Sequence, residues 1–205
     1  MLRRWLAALA VAALAGVVAA AGAAAQPAGE VLAFHGQCFI AAGGSQSALK
    51  QGDPVQVGDI VVVPDGARLK LRMSDGSIIT AGSGTRLTIG TYSTGGGGRT
   101  VKLDLAAGLL RAVVTAFTGK SRFEVDTATS VAAVRSTDWF IAAQPGVTQV
   151  GVLSGVVSLE SRSTRHAVDI PARWGARVMA GMDPVPPRVW HQSEFEAMIA
   201  RTTVN

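Results

Sequence analysis

Ala67-Arg68-Leu69-Lys70-Leu71-Arg72-Met73, followed by Ser74-Asp75-Gly76-Ser77-Ile78, is the stretch that decides the fold class. Leu69, Leu71 and Met73 fall on one side of an extended chain and Arg68, Lys70 and Arg72 on the other. A period of two over this length marks a strand with one wet face. Asp75-Gly76 then turns the chain, because Gly accepts positive φ and Asp hydrogen-bonds its own backbone. The same grammar extends outward. Thr100–Leu105 sets Val101, Leu103 and Leu105 against Lys102 and Asp104, and Arg122–Asp126 alternates again. Gly52-Asp53, Gly58-Asp59, Asp65-Gly66, Gly90, Gly108, Gly119, Gly146 and Gly155 punctuate the runs. Such punctuation predicts an all-β fold, with many short strands forming a short irregular β-solenoid or a twisted two-sheet sandwich. No strict period persists, which argues against a long regular solenoid. The Gly95–Gly98 run predicts a loop that is entropically costly to order.

One helix is expected, at the end. Ser193 reads as its cap, Glu194 lies in its first turn, and Phe195, Met198 and Ile199 follow at helical spacing. Pro184-Val185-Pro186-Pro187 is expected to insulate it from the β region. The predicted organisation is a signal peptide at 1–25, a β domain at 26–182, and a Pro-rich linker with a short amphipathic helix at 183–205.

The chain has 205 residues, 48% hydrophobic and 16% charged, which suits one folded domain of ordinary size and excludes a disordered chain. Cys38 is the single cysteine, so internal disulfides and multi-cysteine metal centres are excluded. His35, His166 and His191 lie too far apart to form a local ligand pattern. No metal and no cofactor is predicted.

Arg3 and Arg4 precede an uncharged run from Trp5 to Ala25 that exits through Ala23-Ala24-Ala25. A basic start, an apolar middle and a small-residue exit describe a cleavable secretory leader; an uncleaved anchor is the rival. The expected location is periplasmic or secreted. Cleavage would take two of the 19 basic residues and none of the 14 acidic ones, leaving a net charge of +3. Residues 68–122 carry nine basic residues against Asp75 and Asp104, a local net of +7. Arg68, Lys70, Arg72 and Lys102 could thus present a face to an anionic polymer or lipid surface. The plainer reading is that they are solvated outward positions of strands. Scarce aromatics disfavour nucleic acid.

No catalytic set emerges. Gly151-Val152-Leu153-Ser154-Gly155 places its serine one position too late for a nucleophile elbow and reads as a hairpin turn. Gly82-Ser83-Gly84 lacks the basic residue of a phosphate loop. His191 and Glu194 read as a solvated helix start.

The ordered motifs resemble the FecR domain, the periplasmic β domain of iron-uptake signalling regulators and of many secreted bacterial proteins. The pieces are Leu49-Lys50-Gln51-Gly52-Asp53-Pro54-Val55-Gln56-Val57-Gly58-Asp59-Ile60, Gly66-Ala67-Arg68-Leu69-Lys70-Leu71, and Asp75-Gly76-Ser77-Ile78. Val101–Leu105 follows, with Gly108-Leu109-Leu110, Phe123–Thr127, Val134-Arg135-Ser136-Thr137-Asp138-Trp139-Phe140, and Val150–Val157. The resemblance spans roughly residues 30–180. The family usually has Arg-Gly-Thr where this chain has Arg135-Ser136-Thr137. If that glycine adopts positive φ, Ser136 costs about 1 kcal/mol there. The family's signalling regulators carry a cytoplasmic sigma-factor-binding segment and a transmembrane helix before this domain. Here the domain starts just after the leader, so the resemblance implies the docking half without the output half.

The expected function is therefore a non-catalytic exported module that docks on another envelope or outer-membrane protein, in signalling. The alternative is binding of an anionic envelope polymer or lipid through the basic strands, with any membrane contact peripheral. An enzyme ranks last. The candidate contact residues are Arg135, Ser136, Thr137, Trp139 and Phe140. Trp139 and Phe140 are consecutive, so in a strand one faces the core and the other outward. The outward ring either anchors a partner or is covered by the C-terminal segment, with Trp174 and Trp190 as the cover.

Overall fold

A computed structural model describes residues 27–204, and the leader expected at 1–25 lies outside the described residues. The chain weaves between two facing sheets. β1 (Pro27–His35) lies in the first sheet, and the hairpin β2 (Phe39–Ala42) and β3 (Ser45–Ala48) in the second. β4 (Pro54–Gln56) returns to the first sheet and β5 (Ile60–Val63) to the second. β6 (Arg68–Met73) and β7 (Ile78–Ala81) form a hairpin in the first. β8 (Thr85–Gly95) pairs in the second sheet with β9 (Gly98–Val113), whose last six residues run in the first. Four hairpins then alternate between second and first sheet. They are β10 (Lys120–Asp126) with β11 (Ser130–Val134), β12 (Asp138–Gln144) with β13 (Val147–Ser154), β14 (Val156–Ser161) with β15 (Ala167–Pro171), and β16 (Trp174–Met179) with β17 (Arg188–Val189). α1 (Gln192–Thr202) closes the described chain.

The first sheet runs β4-β1-β6-β7-β9-β12-β13-β16-β17. The second runs β3-β2-β5-β8-β9-β10-β11-β14-β15. This is the twisted two-sheet sandwich, with one solenoid-like coil at its centre. β9 passes through the second sheet, crosses, and returns through the first. β10 then starts beside the start of β9, Lys120 opposite Gly98, so this neighbouring pair is parallel while the others are antiparallel. The crossing requires Gly108, at φ +100, because a Cβ there would lie 2.4 Å from both Cα and Oγ1 of Thr85. Thr85 Oγ1 ties the corner by donating to Gly82 O at 2.6 Å and accepting from Leu109 N–H at 3.1 Å.

The inward residues of both sheets form one core running from Ala28 to Val178 and including Leu69, Leu71, Met73, Val101, Leu103 and Leu105. The turns expected at Asp75-Gly76 and at Gly58-Asp59 are in place. Asp59 Oδ2 accepts from Gln56 N–H at 2.6 Å just before β5. The four-glycine run is ordered as a two-residue hairpin, with Gly96 and Gly97 at φ +59 and +78 and Gly95 opposite Gly98.

Three local expectations need correction. Gly155 does not close a hairpin, because β13 and β14 belong to different sheets and it carries the crossing between them. Helix α1 is capped at His191 rather than Ser193, and the Glu194 carboxylate reaches back to accept His191 N–H at 2.9 Å. The Pro184–Pro187 run does not insulate the helix. β17 pairs with β16, and Trp190 and Phe195 bury against Leu109, Phe140 and Ala142 on the outer face of the first sheet. Those outward residues are apolar and would face water without this strap.

Candidate functional site

The Arg135-Ser136-Thr137 corner joins β11 of the second sheet to β12 of the first. Ser136 sits at φ 61, the left-handed conformation that a glycine would adopt without strain. The corner is held from several sides. Thr137 O accepts Val114 N–H at 2.9 Å, and Thr137 Oγ1 donates to Val156 O at 3.3 Å. Gly155 packs so close that a Cβ on it would lie 2.8 Å from Thr137 Oγ1 and 2.9 Å from Ser136 O. Just beyond, Asp138 takes a two-pronged contact from Arg111, Nε to Oδ1 at 3.0 Å and Nη2 to Oδ2 at 2.8 Å.

Arg135 and Ser136 are exposed, whereas Thr137, Trp139 and Phe140 are buried. Trp139 points into the core between the sheets. Phe140 points outward but lies in the cluster under Trp190 and Phe195, so the C-terminal segment covers it and neither ring stands on the surface. The exposed tryptophan among the described residues is Trp174, which sequence reasoning assigned to the cover together with Trp190.

Register places further exposed residues at the chain crossings that follow this corner. Val156 opens β14 opposite Pro171, the last residue of β15. Three residues on, Trp174 opens β16 opposite Val189. Among the described residues, Val156 is 50% exposed, Val189 58% and Trp174 37%, three of the five exposed large apolar side chains. Arg173, between Pro171 and Trp174, is a second non-glycine at positive φ (72), its N–H bonded to Val152 O at 2.7 Å. Arg173 lies over the Phe195 ring at 5.0 Å and donates to Gln192 Oε1 at 2.7 Å, while Arg135 makes no ion pair among the described residues. The crossings at 135–137, 154–156 and 171–174 thus each carry exposed apolar or arginine side chains. β15 and β17 are the edge strands of the second and the first sheet.

The basic residues of 68–122 do not form one face. Arg68, Lys70 and Arg72 project from β6 on the outer side of the first sheet, and Lys102 projects from β9 on the outer side of the second. Several are neutralised, Arg72 by Glu30 and Lys102 by Asp126 at 3.0 Å. Arg99 is not on a face at all. It shares the inward register of Val101 and Leu103 and is 1% exposed. Its Nη1 donates to Asp75 Oδ2 at 2.8 Å and Thr115 O at 3.1 Å, and its Nε and Nη2 to Ser121 Oγ at 3.0 and 2.8 Å. Phe117 and Phe123 lie within 5.2 and 5.8 Å of the guanidinium. Burial by itself would raise the Asp75 carboxyl, but hydrogen bonds from Ser77, together with Tyr92 and Arg99, hold it below its usual value. The signal for Arg99 was the period-two pattern carried back two residues from Val101.

Burial pushes the Cys38 thiol up to about 11, leaving it protonated and unreactive at neutral pH. Among the described residues no group of three or more His, Cys, Asp or Glu is placed to hold a metal ion, and no helix is long and apolar enough to cross a membrane.

Residues 59–158 match the FecR family, described as FecR protein. Two crystal structures of a candidate anti-sigma factor from Parabacteroides distasonis share the fold. One has a TM-score of 0.56 at 17% identity and the other 0.57 at 16%. Each comparison covers 68% of this chain and under two thirds of the other, 64% and 63% respectively. No curated protein matches the chain. The Ser136 corner and Val156 lie inside the matched segment, and Pro171, Trp174 and Val189 lie beyond it. The stretch that matches the FecR family model thus runs from just before β5 to the start of β14.

Proposed function

We propose that this protein is an exported, non-catalytic signalling module that docks on another protein of the cell envelope. The patch formed by Arg135, Val156, Pro171, Arg173, Trp174 and Val189 is the docking face. The observation that carries this reading is that an exposed tryptophan, two exposed valines and an unpaired arginine all stand at the ends or crossings of the last strands of the two sheets. Aromatic and arginine anchors dominate protein interfaces. The FecR match and the anti-sigma description of the two structural neighbours support a role in signalling. Arg135 and Arg173 favour an acidic rim on the partner. The wider domain, 26–182, is proposed to act as one unit because a single core runs from Ala28 to Val178. The leader at 1–25 supports a periplasmic or secreted location.

Binding to an anionic polymer or lipid is less well supported, since the basic strands point to opposite sides and several are paired. The test is a photo-crosslinking side chain placed at Val156, and in a second variant at Lys102, in intact cells. The expected result is a discrete envelope-protein adduct from position 156, absent from position 102 and lost with Arg135→Glu. Adducts only to wall or lipid material, abolished by salt, or equal protein adducts from both positions, would overturn it.

A further inference from the structure

Where the C-terminal strap crosses the first sheet it leaves a cleft of about 240 Å³. Gln149 on β13 and Arg177 on β16 stand opposite each other in register on one side. Val185 and Pro186 of the strap form the other side, pinned by Val185 N–H donating to Arg177 O at 2.9 Å and by pairing of Pro184 with Val178. The floor is Gly175 with the Trp190 indole over it. A Cβ on Gly175 would lie 2.0 Å from Trp190 Nε1, and one on Gly151, its partner in register, 2.3 Å from the ring. Two facing glycines therefore make the trough that seats the indole.

The cleft offers donors and no carboxylate. The side chains of Gln149 and Arg177 make no hydrogen bond or ion pair among the described residues. The Trp190 indole N–H also lacks a partner there and, unlike that of Trp139, is not sealed in the core. Arg188, at the rim, is already held by Glu194 through contacts of 3.0 and 2.6 Å. A free guanidinium, an amide and an indole N–H lining one cleft with Pro186 suit a planar acceptor that carries negative charge. The volume is below the roughly 300–1,000 Å³ of sites for drug-sized ligands, so the ligand is small.

We infer that this cleft binds a small carboxylate with a flat apolar body, its carboxylate on Arg177 and Gln149 and its body between Pro186 and Trp190. This site is separate from the docking patch and does not depend on it. The test is a titration of the purified protein with benzoate, following the indole N–H resonances of Trp139, Trp174 and Trp190 by NMR. Benzamide serves as the uncharged control and inorganic phosphate as the competing anion. Benzoate should shift the Trp190 resonance saturably while benzamide does not. Arg177→Ala, which removes an exposed side chain and should leave the melting temperature unchanged, should weaken binding about tenfold, the scale of one charged hydrogen bond. Absence of a saturable shift, an equal response to benzamide, equal binding of phosphate, or unchanged affinity in Arg177→Ala would each overturn the assignment.

Discussion

The outer faces of the two sheets obey the same period-two rule and end in opposite states. On the second sheet the outward positions of β9, β10 and β14 include Lys102, Glu124 and Glu160, which pair or hydrate and leave most of that face bare. On the first sheet the outward positions of β9, β12, β13 and β16 include Leu109, Phe140, Ala142, Gly151 and Gly175. These need a cover, and Trp190 with α1 supplies it. Alternation thus identifies the wet side of a strand only when its outward residues are polar. Where they are apolar or glycine, the second face recruits another part of the chain.

The largest test of that contrast lies inside the sandwich, where a basic residue occupies an inward position. Arg99→Ala leaves the Asp75 carboxylate buried without its partner and should cost about 3–5 kcal/mol, read from urea unfolding. On the covered face, Trp190→Ala should cost about 3 kcal/mol, at the lower end for a buried aromatic because the indole rests on a surface trough. It should also expose Phe140 and Phe195, visible as increased binding of a hydrophobic dye. A milder loss from Arg99→Ala than from Lys102→Ala would break the comparison. Lys102→Ala, on the bare face, should change stability by no more than about 1 kcal/mol, since Arg162 still holds Asp126.

Acid sharpens the comparison because each region carries one depressed carboxylate. Asp75 is lowered in the folded protein, so its contribution is complete above the unfolded carboxyl value near 4 and is lost as pH falls through the folded one. Glu194 is lowered to about 2 by Arg188 and by His191 N–H. Its hold on the start of α1 should therefore fade between about pH 4 and 2. Stability should drop across this range, and Glu194→Gln should remove only the part sensed by Trp190 fluorescence. A small effect of opposite sign is expected at the corner, where Ser136→Gly should gain about 1 kcal/mol in urea unfolding by relieving the φ of 61.

Much of the fold was legible because it rests on local chemistry. Asp75-Gly76 and Gly58-Asp59 turn the chain wherever they occur, and the alternation at Ala67–Met73 reads directly as a strand. The family pattern at Arg135-Ser136-Thr137 pointed to a positive φ, and Ser136 has one. The site was less legible. Trp139 and Phe140 looked like a core residue and an anchor, yet Phe140 lies under a helix that begins 52 residues later. Trp174 and Trp190 looked equivalent, and only their neighbours separated them. Trp190 meets two glycines in register, while Trp174 opens its strand and stays 37% exposed.

The sequence by itself determined the strands, their wet and dry sides, most of the turns and the presence of a terminal helix, since each depends on residues within one or two turns of chain. Which strands share a sheet, that Arg99 meets Asp75, and that Trp190 seats on Gly151 and Gly175 emerge only from the tertiary structure. Those outcomes depend on strand register between segments far apart in the chain. A one-residue change in that register would turn every side chain to the other face.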